Sequence, residues 1–242
     1  AGLEVPQKVF AHGFILNRGQ KESKSLGNVT DPVELAERFG VANLRYFLMR
    51  EVAFGQDGSY SAEAIITRCN AELANSFGNL VQRTLSMIAK NMSGELGELI
   101  PDAADTALLD LVSRSCATDL PREFGAFAFS QGIEAWMQAV WACNRYVDEQ
   151  APWTLRKTDG ERMKTVLQTL FVAIRDLAIA IQPVIPDKAG AVLDMLGVDQ
   201  DRRTYAHLAE EGWYSDLVAS GFRVEPPAPQ FPRLEMPQAE GA

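Results

Sequence analysis

Apolar side chains recur every three or four residues between residues 61 and 196, and this spacing constrains the fold more than any other feature. The amphipathic stretches cover about residues 61–91, 105–120, 126–150, 160–182 and 186–196. Proline-containing segments at residues 101, 121–125, 152 and 183–186 separate them. Four or five helices with short links predict a helical bundle. The stretch at 126–150 supplies six large side chains to the predicted core: Phe127, Phe129, Trp136, Met137, Val140 and Trp141.

The first 58 residues follow a different pattern. Residues 8–16, KVFAHGFIL, predict a buried strand, and the polar residues 20–30 predict a loop. Thr30-Asp31-Pro32 predicts a helix start, and Gly40 predicts its end. The turn-rich segment FGQDGSYS follows, and we place a domain boundary there. The expected units are residues 1–58, a bundle at 59–222, and a proline-rich tail at 223–242 that runs extended over the surface.

Composition and charge limit the classes of function. The chain has 242 residues, of which 47% are hydrophobic, but no apolar run approaches the length of a membrane span. Three widely spaced cysteines predict neither a disulfide framework nor a zinc site, which favours a cytoplasmic protein. The net charge is −9, whereas a protein that binds nucleic acid by bulk electrostatics is usually basic. Any nucleic acid must therefore be bound through a few placed groups.

The segment KESKSLGN, residues 21–28, carries Lys21 and Lys24 three positions apart, together with Ser23 and Ser25. In a tight loop this spacing can bring two ammonium groups to one phosphate chain, while the hydroxyls add hydrogen bonds. Taken alone, the pattern is more typical of a solvated surface turn. The residues around the segment are needed to decide between these two interpretations.

KESKSLGN resembles the KMSKS signature loop of class I aminoacyl-tRNA synthetases. The preceding HGF and the following NVTDPVELAERFGVANLRYFLMREVAFGQDGSYS resemble the methionyl-tRNA synthetase family in particular. The resemblance extends over essentially the whole chain. It implies a mostly α fold, in which an anticodon-binding bundle follows the last strand and signature loop of a Rossmann-type catalytic domain. It also implies a C-terminal fragment that is inactive alone, because the HIGH motif and the zinc-bearing insertion lie upstream.

The resemblance also implies roles for the loop residues. In the family, the methionine carboxylate attacks the α-phosphate of ATP, with Mg²⁺ expected on the nucleotide and no metal bound by this part of the chain. Lys24 is then the main contact to the β- and γ-phosphates, Lys21 its helper, and Ser23 and Ser25 orient the loop. The loop departs from the family pattern at Glu22, where methionine is usual.

A helical wheel places seven polar residues opposite the apolar stripe of residues 61–91: Arg68, Glu72, Asn75, Asn79, Arg83, Ser86 and Lys90. This pattern alone indicates an ordinary solvated helix face. The segment NAELANSFGNLVQR is, however, similar to the family's anticodon-reading helix, which implies that Asn79 and Arg83 contact the anticodon. In RYVDEQAPW, Trp153 is either a core residue or, as the resemblance implies, a stacking platform for an anticodon base.

The implied partners are tRNA(Met) with its CAU anticodon, methionine and ATP, and the intact enzyme is expected to be a monomer. Two alternatives remain open at this point. One is another class I synthetase of the leucyl or cysteinyl type, which shares the signature loop. The other is a noncatalytic helical interaction module in which KESKS is incidental.

Overall fold

The computed structural model describes residues 5, 9–11, 13–23, 25, 30–53, 55–209 and 212–236. These parts of the chain are mostly helical, with two short strands, β1 (Ile15–Asn17) and β2 (Gly58–Tyr60), that pair in parallel. The prediction of a buried strand at residues 8–16 was wrong in extent and burial, because Val9 and Phe14 are 89% and 64% exposed. In the described residues β1 pairs with β2 alone, so no further strand flanks it.

Helices α1 (Pro32–Phe39) and α2 (Val41–Glu51) follow the first strand. The Asp31 side chain accepts a hydrogen bond from the Val33 amide at 2.7 Å, and proline occupies the first helical turn of α1. Gly40 ends this helix with a φ of 82°, a left-handed conformation that glycine adopts without a steric penalty. The predicted start and end of this helix are therefore confirmed.

A series of helices forms the predicted bundle. Its first half contains α3 (Ala62–Cys69), a π-helical segment (Asn70–Gly78), α4 (Asn79–Asn91), α5 (Ala103–Arg114), a second π-helical segment (Ser115–Asp119) and α6 (Leu120–Gly125). Its second half contains α7 (Phe129–Gln150), α8 (Pro152–Thr158), α9 (Gly160–Ile181), α10 (Pro186–Met195) and α11 (Trp213–Ala219), with 3-10 turns at Gln200–Arg202 and Tyr205–Ala209. Helix α9 lies at the centre and packs against α4, α5, α7, α8 and α10.

The core of the bundle is built around Trp136 on α7. Its ring is fully buried, and its Nε1 donates a hydrogen bond to the Leu177 carbonyl at 2.9 Å. The prediction that Trp141 lies in this core was wrong, because it is 39% exposed. Trp141 lies five residues after Trp136, which places it about 140° away around the helix. Phe127, in the turn before α7, and Phe129, its first residue, are only half-buried.

Pro121 does not interrupt the chain where the sequence predicted a break at residues 121–125. Helix α6 occupies this stretch, and the helical path ends only at residues 126–128, where Phe127 has a φ of 60°. The second π-helical segment explains the difference, because the Leu120 amide donates to the Ser115 carbonyl five residues back. Pro121 then falls in the first turn of α6, where a missing N–H costs least.

The tail follows the surface of the bundle from residue 223 to residue 236 without helical structure, as predicted. The side chain of Asn70 holds it by two hydrogen bonds to the backbone of Leu234, at 2.8 and 2.9 Å. Gln82 donates to the Pro227 carbonyl at 3.2 Å. These contacts fix the tail along the π-helical segment and α4.

Two further findings concern the described ranges only. No helix there is both long and apolar enough to cross a membrane. Cys69, Cys116 and Cys143 are all buried and form no disulfide. The division of the chain at residues 58 and 222 stays a prediction.

Candidate nucleotide loop and nucleic-acid interface

The signature-like loop leaves β1 through a tight turn at residues 17–20. The backbones of Asn17 and Gln20 exchange two hydrogen bonds, at 3.0 and 2.9 Å. Arg18 and Gly19 have φ values of 49° and 78°, as such a turn requires. The Gly19 amide also donates to Ser59 Oγ at 2.8 Å, so the turn is joined to β2. The loop therefore starts from a fixed point.

The structure locates three of the four predicted loop residues. Lys21 is exposed, and its Nζ lies 5.3 Å from the centroid of the Phe14 ring. Ser23 Oγ and Ser25 Oγ lie 2.7 Å apart, and the Ser25 amide donates to Ser23 Oγ at 3.3 Å. Lys24 lies outside the described residues. The role of the two lysines at a phosphate chain stays a prediction, and so does that of the serines in orienting the loop.

Glu22, the departure from the family pattern, is held at the base of the loop. Its Oε1 accepts a hydrogen bond from the Tyr60 hydroxyl at 2.9 Å, and Thr30 donates from its side chain and its backbone. The side-chain hydrogen bond from Thr30 is the largest effect and lowers the pKa of Glu22 below its usual value. Desolvation opposes it, and the Tyr60 hydroxyl lowers the pKa further. Burial, together with Glu22, raises the pKa of Tyr60 to about 12. The carboxylate is thus ionised and engaged at neutral pH.

The helix that carries Asn79 and Arg83 changes its winding just before them. The Asn79 amide donates to the Ala74 carbonyl five residues back, which is the π-helical pattern. The wheel prediction for Glu72 was therefore wrong, because it is 4% exposed rather than on the open face. A π-helical turn is wider than the 3.6 residues assumed by the wheel, so angular positions after Cys69 no longer follow it.

Glu72 instead joins the helix to α2. It accepts hydrogen bonds from the Tyr46 hydroxyl at 2.7 Å, from Arg50 Nε at 3.1 Å and from Arg68 Nη1 at 2.9 Å. Arg50 continues to Glu134 on α7. Burial and Glu72 raise the pKa of Tyr46 well above its usual value. This network fixes the π-helical segment against two neighbouring helices.

Arg83 and Trp153 lie together on the surface where α4, α7 and α8 meet. The Arg83 Cζ lies 5.3 Å from the centroid of the Trp153 ring, and its Nη2 lies 3.7 Å from Asp148 Oδ1. Trp153 is 44% exposed, because α7 ends at Gln150 and Ala151 turns left-handed with a φ of 45°. Of the two roles left open for Trp153, exposure favours the stacking platform over the core.

Asn79 lies one helical turn before Arg83 and is exposed. It lines a groove of about 350 Å³ between this helix and the tail. The polar residues of the groove include Asn75 and Gln82 from the helix and Gln230 and Arg233 from the tail. No local sequence pattern places these tail residues beside Asn79, because more than 150 residues separate them. The sequence prediction therefore missed one wall of this groove.

In the described ranges, no group of three or more histidine, cysteine, aspartate or glutamate side chains is arranged to hold a metal ion. The chemistry that these residues offer is hydrogen bonding by amides, bidentate binding by a guanidinium, and stacking on an exposed indole. These are the groups that proteins use to recognise unstacked bases in single-stranded RNA loops.

Two family models match the chain. Residues 1–85 match the class I tRNA synthetases of the methionyl type, and residues 104–241 match the anticodon-binding domain of methionyl-tRNA ligase. The chain belongs to the methionyl-tRNA synthetase family. This membership confirms the predicted resemblance and the predicted mostly helical fold. It does not support the leucyl or cysteinyl alternative.

Relatives in the methionyl-tRNA synthetase family match the whole chain. The methionine–tRNA ligase of Rhizobium meliloti is 46% identical over 99% of the chain, and that of Mycobacterium leprae is 45% identical over 100%. The chain covers 46% and 45% of these two proteins, so it spans about half the length of the curated relatives it matches.

Solved structures in the family agree with the fold. The free form of the Mycobacterium tuberculosis methionyl-tRNA synthetase superposes with a TM-score of 0.85 at 41% identity, over 98% of this chain and 45% of that one. The complex of the same enzyme with methionyl-adenylate gives a TM-score of 0.84 at 44% identity, over 96% and 45% of the two chains.

Proposed function

We propose that this chain is the loop-bearing and anticodon-reading part of a methionine–tRNA ligase, the enzyme that activates methionine with ATP and transfers it to tRNA(Met). The observation that carries the proposal is the exposed pair of Arg83 and Trp153, with Asn79 beside it, on a chain that matches the methionyl anticodon-binding domain. ATP binding is supported by the methionyl-adenylate in the neighbouring Mycobacterium tuberculosis structure.

The anticodon is read by contacts to bases rather than by bulk charge. The exposed face of Trp153 offers a platform for one unstacked base, and Arg83 can bind a base edge or a phosphate bidentately. The Asn79 amide can both donate to a base and accept from it. Because such contacts depend on a few placed groups, an acidic chain can bind tRNA specifically. We propose that together they select the CAU anticodon.

The loop acts on ATP in the first reaction, the activation of methionine. When the methionine carboxylate attacks the α-phosphate, negative charge builds on the departing pyrophosphate. Lys24, assisted by Lys21, stabilises this charge more in the transition state than in the ground state, which raises the rate. The ATP is expected to carry Mg²⁺, which would neutralise part of the phosphate charge. Ser23 and Ser25 orient the loop.

The first experiment measures binding of the chain to tRNA(Met) and to the same tRNA with an altered anticodon, at physiological salt. We expect preference for CAU. Trp153→Ala should weaken binding by about tenfold to a hundredfold, the typical worth of one base stacked on an aromatic ring. The matched control is Ile100→Ala, which removes another exposed apolar side chain, 69% exposed, in the link between α4 and α5.

Equal affinity of wild type and Trp153→Ala for tRNA(Met) would refute the assignment of Trp153. Absence of tRNA binding, together with binding to a protein partner, would favour the noncatalytic interaction module. If the chain alone shows no preference for CAU, the same measurement on the complete ligase decides whether the anticodon assignment or only the isolated chain has failed.

The second experiment uses the complete ligase and measures ATP–pyrophosphate exchange. Lys24→Ala should lower the exchange rate by orders of magnitude and leave tRNA binding intact, because the removed charge acts on the phosphates alone. Lys188→Ala, on helix α10 of the bundle, is the matched control. Unchanged exchange in the Lys24 variant would exclude it as the phosphate contact.

A further inference from the structure

Trp141 on α7 is exposed in a way that the packing of the bundle does not explain. The chain has four tryptophans, and two of them, Trp136 and Trp213, are buried with exposures of 0% and 3%. The other two, Trp141 and Trp153, are 39% and 44% exposed. Exposed tryptophans are enriched where a protein meets a partner, because the indole is large and mostly apolar. Trp141 is therefore a candidate contact residue that the proposed function does not yet use.

Trp141 belongs to an open face of α7. The exposed side chains of this face are those of Gln131, Gln138, Trp141, Arg145 and Asp148. Trp141 and Asp148 lie seven residues apart, so they differ by only about 20° around the helix and by about 10 Å along its axis. At the edge of the face, Asn144 Nδ2 donates to the Ser76 carbonyl at 3.4 Å, which places this part of α7 against the π-helical segment.

The open face of α7 continues into the candidate anticodon surface. Asp148 Oδ1 lies 3.7 Å from Arg83 Nη2, and the Arg83 Cζ lies 5.3 Å from the centroid of the Trp153 ring. Trp141 is two helical turns before Asp148 on the same face. A single RNA loop bound at Arg83 and Trp153 can therefore also reach Trp141.

The side chains beside Trp141 fit a nucleotide. Arg145 lies one helical turn after it and is exposed, and in the described part of the chain it has no ion-pair partner. Asp148, on the same face, is engaged with Arg83. An indole beside an available guanidinium offers a stacking face for a base and a positive charge for the phosphate next to that base.

We propose that Trp141 is a second stacking platform for tRNA, which holds a further unstacked base of the anticodon loop while Arg145 binds a neighbouring phosphate. The proposal rests on the proposed function, because it needs the anticodon loop to lie on Arg83 and Trp153. Stacking tolerates any base, since every base has a π face. Trp141 therefore adds affinity for tRNA without adding to the preference for CAU.

The first test measures the affinity of the complete ligase for tRNA(Met) and for the same tRNA with an altered anticodon. We expect Trp141→Ala to weaken both by about tenfold, as for loss of one base stacked on an aromatic ring, and to leave their ratio unchanged. Trp141→Phe should retain most of the affinity. Trp141→Leu is the matched control, because it keeps an apolar side chain without a π face, and it should match Trp141→Ala. Arg145→Gln should reduce the slope of log affinity against log salt by about one.

The outcomes separate this proposal from the proposed function. Weaker binding in Trp153→Ala with unchanged binding in Trp141→Ala would overturn the second platform alone. Equal affinities of Trp141→Leu and Trp141→Phe would also overturn it, because they would indicate an apolar contact with protein rather than stacking on a base. A wild-type ligase that does not bind tRNA(Met) would overturn both proposals.

The second test uses the 242-residue chain and observes Trp141 directly. Trp153→Phe leaves Trp141 as the only exposed tryptophan of the four, all of which the structure describes, so quenching of fluorescence by acrylamide reports chiefly on it. We expect bound tRNA(Met) to protect this fluorescence from acrylamide, and the protection to be lost when Trp141→Phe is added. Equal thermal midpoints verify that both variants are folded. Quenching that bound tRNA(Met) leaves unchanged would overturn the proposal, because the RNA would then not cover Trp141.

Discussion

Replacement of Glu72 by glutamine should destabilise the bundle strongly. The Glu72 side chain is 5% exposed and accepts hydrogen bonds from Tyr46, Arg50 and Arg68. Glutamine keeps the shape, but it removes the charge and turns an NH₂ donor towards groups that are themselves donors. The variant therefore leaves two guanidinium groups without their shared buried carboxylate.

The expected magnitude follows from what the two arginines retain. Removing one partner of a buried ion pair costs about 3–5 kcal/mol. Arg50, whose side chain is 12% exposed, keeps Glu134. Arg68 is 37% exposed and keeps Glu51 at 2.9 Å, so solvent and this second carboxylate reduce its loss. We therefore expect Glu72→Gln to lower the free energy of unfolding by about 2–4 kcal/mol. For a chain of this size, that is roughly 5–10 °C in the thermal midpoint.

The assay is urea denaturation followed by far- and near-ultraviolet circular dichroism, with a thermal scan of the same samples. The matched control is Glu51→Gln, which removes the exposed carboxylate bound to Arg68 and should cost less than about 1 kcal/mol. A loss below about 1 kcal/mol in Glu72→Gln would refute the reasoning, because the charge of Glu72 would then contribute little to the stability of the bundle. A loss of equal size in the control would show that burial does not decide the cost.

Two further changes have definite expected outcomes. Asp105→Asn should cost about 3 kcal/mol in urea denaturation. Burial opposes ionisation, but hydrogen bonds, chiefly from Arg162, lower the pKa of Asp105. Its contribution is therefore complete above the unfolded-state pKa of about 3.9 and is lost as the pH falls through the lower folded-state value, which an acid titration of stability checks. Gly78→Ala places a methyl group 2.8 Å from Phe231 Cβ, so proteolysis of the tail should accelerate.

The sequence predicted the helices well where a local signal marks their ends. Gly40 ends α1 as predicted, because a glycine with positive φ acts within one turn of chain. The stretch predicted to begin at about residue 61 starts as α3, which the Ser61 hydroxyl caps. Pro152 was expected to end the preceding helix near Gln150, and α7 ends there. Each of these predictions depends only on neighbouring residues.

The sequence failed where contacts between distant segments decide the outcome. Glu72 is buried because Arg50 and Tyr46 on another helix bind it within a π-helical segment, and no pattern within residues 61–91 announces either fact. A wheel with a fixed period cannot represent a change of winding. The tail wall beside Asn79 was missed for the same reason, because only the folded chain brings Arg233 to Asn75, at 2.9 Å.

A continuous helical path leads from the strand beside the signature-like loop to the candidate anticodon surface. Tyr60, whose hydroxyl donates to Glu22, directly precedes Ser61, whose hydroxyl caps α3. From there the helical path runs unbroken through the π-helical segment to Asn79, a distance of roughly 25 Å. Glu72 fixes the middle of this path to α2. The hydrogen bonds of Glu72 to Tyr46 and Arg50 on α2 would therefore resist a displacement of this path at the anticodon surface.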